Sequence, residues 1–431
     1  MTTERSRLEK LLGPLADVRA GEGLGALLLL LNVFLLLFGY YLLKTVREAL
    51  ILVEGGAYVK AYSSAAQAGL LMALVPLYGY VGTRVPRIKL ITGLFLFFAS
   101  NLIVFYLAGI GGAQEGVAFY IWVGIFNVFV VSQIWAFAND IYTEDQGKRL
   151  FPMIGIGASL GAWLGAQAAE RMVSVFNLNP YQIQLAACAL LVVCCGITLA
   201  VNRLAPPTAP PPTQTLAAGD GFKLIFQSRY LTWIAALVVL LNIVNSTGEF
   251  LLGSFVGDQA KALYAADEAA QKQFVGAFYG DFFATVNLLG FLLQAFAASR
   301  IFRWVGVRGA LFLLPSIALA SYSLLAMVPV LGLVRWTKTF ENATDYSIQN
   351  TIRQALFLST SREAKYKAKA AIDTFFMRLG DVIQAGVVRL GAEFHLAFAG
   401  FAWLNIGLTL AWLWVATRVA KEHRAIEGPV R

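Results

Sequence analysis

Cysteine and histidine are almost missing from this chain of 431 residues, which holds three Cys and two His. Cys188, Cys194 and Cys195 sit within one apolar stretch and offer no disulfide framework. His395 and His423 lie far from them in sequence, so no zinc-ligand spacing forms. Charge is scarce too, with Asp, Glu, Lys and Arg at 14%. No nucleophile elbow, Gly-rich phosphate loop or zinc motif occurs. An enzyme is therefore not indicated, and no metal or cofactor is expected. The first 23 residues lack an apolar run, so they do not read as a cleavable signal. Their acids, Glu4, Glu9, Asp17 and Glu22, argue against a transit peptide.

Apolar residues are what the chain has in excess, at 58%. They form about a dozen blocks of roughly 20 residues, enough to cross a hydrocarbon core as helices. The blocks fall near 24–45, 58–82, 88–110, 117–140, 150–173, 180–202, 229–256, 275–299, 308–329, 332–357, 369–391 and 395–418. Most Lys and Arg lie in every second gap. They include Arg84, Arg87 and Lys89, then Lys148 and Arg149, Arg300, Arg303 and Arg308, and Arg362 to Lys369. By the positive-inside rule both termini are cytoplasmic and the helix count is even. The net charge of +9 then reflects topology and calls for no nucleic-acid partner. The expected fold is an all-α membrane protein of twelve transmembrane helices in two six-helix halves, major-facilitator-like. Its expected place is the lipid bilayer of a bacterial inner (cell) membrane, as a monomer.

The stretch LAPPTAPPPTQTLAAGDG, 204–221, divides the chain six blocks from six. Its prolines favour extended backbone and its small polar residues bury little. The organisation read from this is a first half 1–203, a cytoplasmic linker 204–222 and a second half 223–431. The halves echo each other: LLLLNVFLLLFGYYLL around Asn32 parallels VVLLNIVNSTGEFLL around Asn242. A basic loop is expected after the second block of each, TRVPRIK and SRIFRWVGVR. Repeated halves suggest a transporter with its site near the midplane.

Ionisable groups inside spans cost about 2.5–3.5 kcal/mol each at the bilayer centre, so they face a partner or an aqueous cavity. The first block carries Lys44, Arg47 and Glu48; the seventh carries Asn242, Asn245 and Glu249 at spacings that share a face. The tenth is unusually polar, with Arg335, Lys338, Glu341, Asp345 and Arg353. The eleventh opens on Lys365, Lys367 and Lys369, then Asp373, Arg378 and Asp381. Cations in both halves suit an anionic, polar substrate. Snorkelling at a helix end, or structural pairing such as Lys338 with Glu341, remains the plainer alternative for each. Aromatics Tyr40, Tyr41, Trp135, Phe137, Tyr346 and Phe375 could stack on a ring or simply pack. In GIGASLGAWLGAQAA, 155–169, Gly157, Gly161 and Gly165 recur every four residues, a spacing that lets two helices approach closely.

Three stretches carry a resemblance. They are LKTVREAL (43–50), WAFANDIYTEDQGKRLFPMIGIGA (135–158) and YSIQNTIRQALFLSTSREAKYKAKAAIDTFFMRLGD (346–381). In order and spacing the chain resembles the nucleotide transporters of the ATP/ADP translocase family found in plastids and intracellular bacteria. The resemblance implies a twelve-helix exchanger of ATP for ADP. It implies a phosphate contact from Lys44, with Arg47 beside it, and places the family's second important lysine among Lys365, Lys367 and Lys369, all three candidates for phosphate. Asn127, Asn139, Asn242 and Asn245 are candidates for base or ribose, and Glu249, Lys338 and Glu341 complete the expected substrate-binding set. The chain departs from the family pattern, beginning with Arg47–Glu48 in the first helix where a Lys–Asp pairing is usual. The acid expected in the fourth helix is absent, leaving Asn127 and Gln133, and the seventh-helix acid falls at Asn245 with Glu249 one turn on. Those losses keep open a divergent transporter of another organic or phosphorylated anion.

Overall fold

In lipid an apolar segment can satisfy its own backbone only as a helix or within a closed barrel. The computed structural model of this chain takes the helical course and has no strand among its described residues. Those residues are 6–13, 16–82, 84–204, 218–361 and 363–427. Positions 205–217 of the expected linker lie outside them, as does Arg362.

After a short capped helix, Arg7–Leu12, come the long helices Gly23–Glu54, Gly56–Gly82, Arg87–Ile110, Gly116–Ile141, Glu144–Ser174 and Pro180–Leu204. Beyond Ala218–Gln227 follow Arg229–Tyr264, Glu268–Ala310 and Phe398–Glu427. Among the described residues, nine helices are long and apolar enough to cross a membrane. The three remaining blocks of the sequence reading are also helical. Leu313–Met327 is short, while 331–356 and 364–393 are polar and interrupted by π-helical turns. The chain is a multi-pass membrane protein. The basic stretch SRIFRWVGVR is not a loop: it continues its helix and breaks only at Gly306, whose φ is 67°.

The packing separates into two compact units. Unit 1 comprises Met1–Glu54, Val75–Thr213 and Leu263–Ala284. Unit 2 comprises Gly55–Leu74, Gln214–Ala262 and Thr285–Arg431.

Helix Gly23–Glu54 is the axis of unit 1 and packs on Glu144–Ser174 and Pro180–Leu204. At 32 residues it is ~48 Å long, more than the roughly 30 Å hydrocarbon core. The glycine spacing read from sequence forms its closest contact. A Cβ on Gly157 would come 2.9 Å from the Leu30 carbonyl oxygen, and one on Gly165 would come 2.5 Å from that of Phe38. One on Gly161 would land on the Phe34 carbonyl oxygen. Three glycines one turn apart therefore seat three carbonyls one turn apart. In unit 2, Leu313–Met327 packs on Phe398–Glu427 and Leu331–Thr344. Gly380 brings Met377–Glu393 against Asn242 and Val239.

Candidate functional site

Unit 2 gathers four of the expected site residues. Asn245 and Glu249 share a face of Arg229–Tyr264, as their spacing requires. Lys338 and Glu341 oppose them from Leu331–Thr344. The Lys338 ammonium, 1% exposed, donates to Asn245 Oδ1 at 2.7 Å and to the Asn245 carbonyl at 3.3 Å. It lies 3.2 Å from Glu341 Oε1 and 3.8 Å from Glu249 Oε1. Tyr322 donates to Glu341 Oε2 at 2.8 Å, and Asn342 donates to Glu249 Oε1 at 2.9 Å. A buried pair of this kind persists only when its remaining lone pairs and protons are met, and here Asn245, Glu249 and Tyr322 meet them.

Gly248 makes the arrangement possible and was not singled out from sequence. A Cβ there would strike the Tyr322 hydroxyl and come within 2.9 Å of the Lys338 ammonium. Its only signal was a helix-weakening glycine in the polar run NSTGEF. Asn242 does not join this cluster. It donates to Asp381 Oδ1 at 2.8 Å and to the Met377 carbonyl at 2.6 Å, with Ser246 and Arg378 completing a second group around Asp381.

Lys44 and Arg47 lie in unit 1. Lys44, 9% exposed, has its ammonium over the rings of Phe283 and Tyr41, at 4.1 and 5.1 Å from their centroids. Arg47 pairs with Glu48 and lays its guanidinium 4.6 Å over Tyr120. Neither side chain snorkels; both cations are inside, against aromatic faces that attract them.

The other candidates are dispersed. Asn127 begins a π-helical turn and is half-buried, and Asn139 is exposed beside Tyr142, Thr143 and Lys148. Lys367 is held by Glu363 at 3.0 Å and Lys369 by Asp373 at 2.6 Å, each on its own helix. Lys365 shares the π-helical turn Ala364–Ala368 with Lys367. A phosphate reaching Lys367 or Lys369 must exchange with a carboxylate already there.

Unit 1 also holds a cavity of about 630 Å³ that the sequence did not announce. Thr45, Asn177, Tyr181, Asp267 and Gln273 line it, and Lys272 pairs across it with Glu54 at 2.8 Å. Glu54 also accepts the Gly116 amide at 2.6 Å. Next to Gly116 lies Glu115, between two spans and 4% exposed, with one oxygen bonded by Gln184 at 2.6 Å and the other without a partner. Burial pushes its carboxyl up to about 7, and the Glu54 charge adds to this, while the Gln184 bond and Lys272 oppose it. A raised folded-state pKa means the native protein binds the proton more tightly than the unfolded chain. Its contribution to stability is full below the ordinary carboxylate range and is lost as pH rises through about 7. Thermal melts in detergent are expected to show lower stability at pH 8 than at pH 5. In Glu115→Gln that slope should flatten.

The all-helical fold is of the major-facilitator type, as two solved structures show. The nucleoside transporter NupG is similar to the chain, with a TM-score of 0.65 at 15% identity over 92% of this chain and 98% of that one. A bacterial homologue of the iron transporter ferroportin gives a TM-score of 0.67 at 14% identity over 92% and 98%.

Among curated proteins the chain's homologues are ADP,ATP carrier proteins, at low identity. It is 25% identical to the chloroplastic ADP,ATP carrier protein 2 of Arabidopsis thaliana, covering 68% of this chain and 52% of that one. It is 21% identical to ADP,ATP carrier protein 2 of Chlamydia pneumoniae, covering 92% and 88%. The chain spans about half the length of the plant relatives it matches. No family model matches it. The resemblance read from the three motifs is thus borne out, and the relatives, carriers by name, agree with the lack of enzyme motifs.

Proposed function

We propose that the protein exchanges nucleotides across a membrane, ATP against ADP, by alternating access. The observation that carries the reading is the pair of buried cations in the first long helix, Lys44 against Tyr41 and Phe283 and Arg47 against Tyr120. A polyphosphate of three to four negative charges is held best by cations in a low-dielectric site, where each charge-assisted contact is strengthened. Aromatic faces beside them suit the nucleobase. The homologous carriers, named for ADP and ATP, support the same substrate class. In this reading the halves 1–203 and 223–431 rock about the linker 204–222. The protein works as a monomer in a cell membrane with both termini inside, and the lysines at 365, 367 and 369 receive phosphate by partner exchange.

Exchange rather than leak requires that bound nucleotide favour the conversion between inward and outward states. Purified protein in liposomes preloaded with ADP is expected to take up labelled ATP, and empty liposomes are expected to take up far less. Lys44→Ala should lower the ADP-dependent uptake at least about tenfold, the loss expected of one charge-assisted contact made in a dry site. Undiminished uptake by that variant would remove Lys44 from the site. Uptake of unrelated anions without competition by ATP would transfer the protein to the other reading, a carrier of a different organic anion.

A further inference from the structure

The helix 331–356 carries a line of polar groups from end to end, and the lower part of that line leaves buried polar atoms without a hydrogen bond, although Arg353 also donates to Asn350 Oδ1 at 3.5 Å. Lys338, Glu341 and Asn342 belong to the cluster described above. Below them, Asp345 Oδ1, both amide atoms of Gln349 and Arg353 Nε are buried atoms without a hydrogen-bond partner, as is Asn342 Oδ1. Gln349 is 1% exposed, so its amide reaches no surrounding solvent. Residues 345, 349 and 353 follow one another at four-residue spacing and share a face. The π-helical turn Asp345–Gln349 lies within the line, and such turns concentrate at functional sites. Trp336, Phe340 and Tyr346, all more than 40% exposed, occupy other positions of the helix and suit lipid.

Buried polar groups in native proteins are almost always bonded, and each exception calls for an explanation in strain, bound water or ion, or function. Four such side chains in a row on one membrane helix are not an isolated packing fault. From Lys338 to Arg353 the line runs about 22 Å, most of the thickness of a hydrocarbon core. Polar groups this extended within a span mark the wall of a substrate path. Their chemistry is mixed: an acceptor at Asp345, a donor and an acceptor side by side at Gln349, and a donor at Arg353. The glutamine pair is the one that reads an adenine edge, and the guanidinium suits an anionic oxygen.

We propose that Asp345, Gln349 and Arg353 line the substrate path, and that Gln349 is a specificity residue that hydrogen-bonds the base of the nucleotide. The inference rests on the nucleotide-exchange reading and names the residue that would recognise the base. It is tested with Gln349→Cys in ADP-loaded liposomes, using a membrane-impermeant thiol reagent. Cys188, Cys194 and Cys195 are buried, so the parent protein supplies the blank.

The expected result is labelling of the variant, slowed about tenfold by ATP, together with a KM for ATP in Gln349→Ala raised about tenfold and a smaller change for GTP. Absent labelling in a variant that still exchanges ATP, labelling indifferent to ATP, or an unchanged KM would overturn the proposal and leave the exchange reading intact. If the parent itself takes up no ATP against ADP, both fall together. Should Gln349→Cys not fold, Arg353→Cys carries the same labelling test.

Discussion

Gly161→Ala is expected to be among the most damaging single substitutions in this protein, although it adds one methyl group. That methyl would occupy the position of the Phe34 carbonyl oxygen, on a backbone already held close at Gly157 and Gly165. A side chain can rotate away from such a clash, but a helix backbone must move as a unit. The two helices involved form the centre of unit 1. Overpacking of this kind costs about 1–3 kcal/mol where side chains can yield, and a backbone contact belongs at or above the upper end. Thermal unfolding in detergent and the yield of monodisperse protein measure it. Gly155→Ala is the control, because a Cβ there meets nothing within 4 Å. Equal melting behaviour for the two variants would mean that the close approach is not what holds these helices.

The second large effect is expected at Lys338. Lys338→Met keeps the length of the side chain but removes the charge that faces Glu341 at 3.2 Å and Glu249 at 3.8 Å. Glu341 is 3% exposed, so its carboxylate would be left with the Tyr322 hydroxyl and no adjacent ammonium. Removing one partner of a buried pair destabilises by about 3–5 kcal/mol, whereas replacing both can be close to neutral. The double variant Lys338→Met/Glu341→Gln should therefore melt well above the single one, which a double-mutant cycle will register as strong coupling. If the cluster also serves transport, the double variant will fold and yet exchange poorly. Simple additivity of the two substitutions would show that the pair does not act as a unit.

Much of the architecture was legible because hydropathy leaves little choice in lipid. Each of the twelve apolar blocks is helical, and the ends differ mainly because helices such as Gly23–Glu54 and Arg229–Tyr264 run longer than the blocks. The four-residue glycine spacing named a helix contact before its partner was known. The spacing of Asn245 and Glu249 placed both on one face, and the polar tenth block suggested Lys338 and Glu341 as a pair. Other features were beyond one-dimensional reading. Nothing local pairs Glu54 with Lys272, which are 218 positions apart, and nothing local marks Gly248 as the space that admits Lys338. Asn242 looks equivalent to Asn245 in the sequence, yet it bonds Asp381.

Composition and periodicity by themselves determined that this is a helical membrane protein of many spans with rare, costly charges inside it. Burial in lipid penalises every unsatisfied backbone group, so the sequence pattern alone is enough to specify helices. The tertiary structure decided which charges meet. It set Lys44 against aromatic rings, placed Lys338 between two acids, and left both amide atoms of Gln349 buried without a hydrogen bond. Those outcomes depend on distances of a few ångströms between helices remote in sequence. In a low dielectric, Coulomb and hydrogen-bond energies change steeply over such distances.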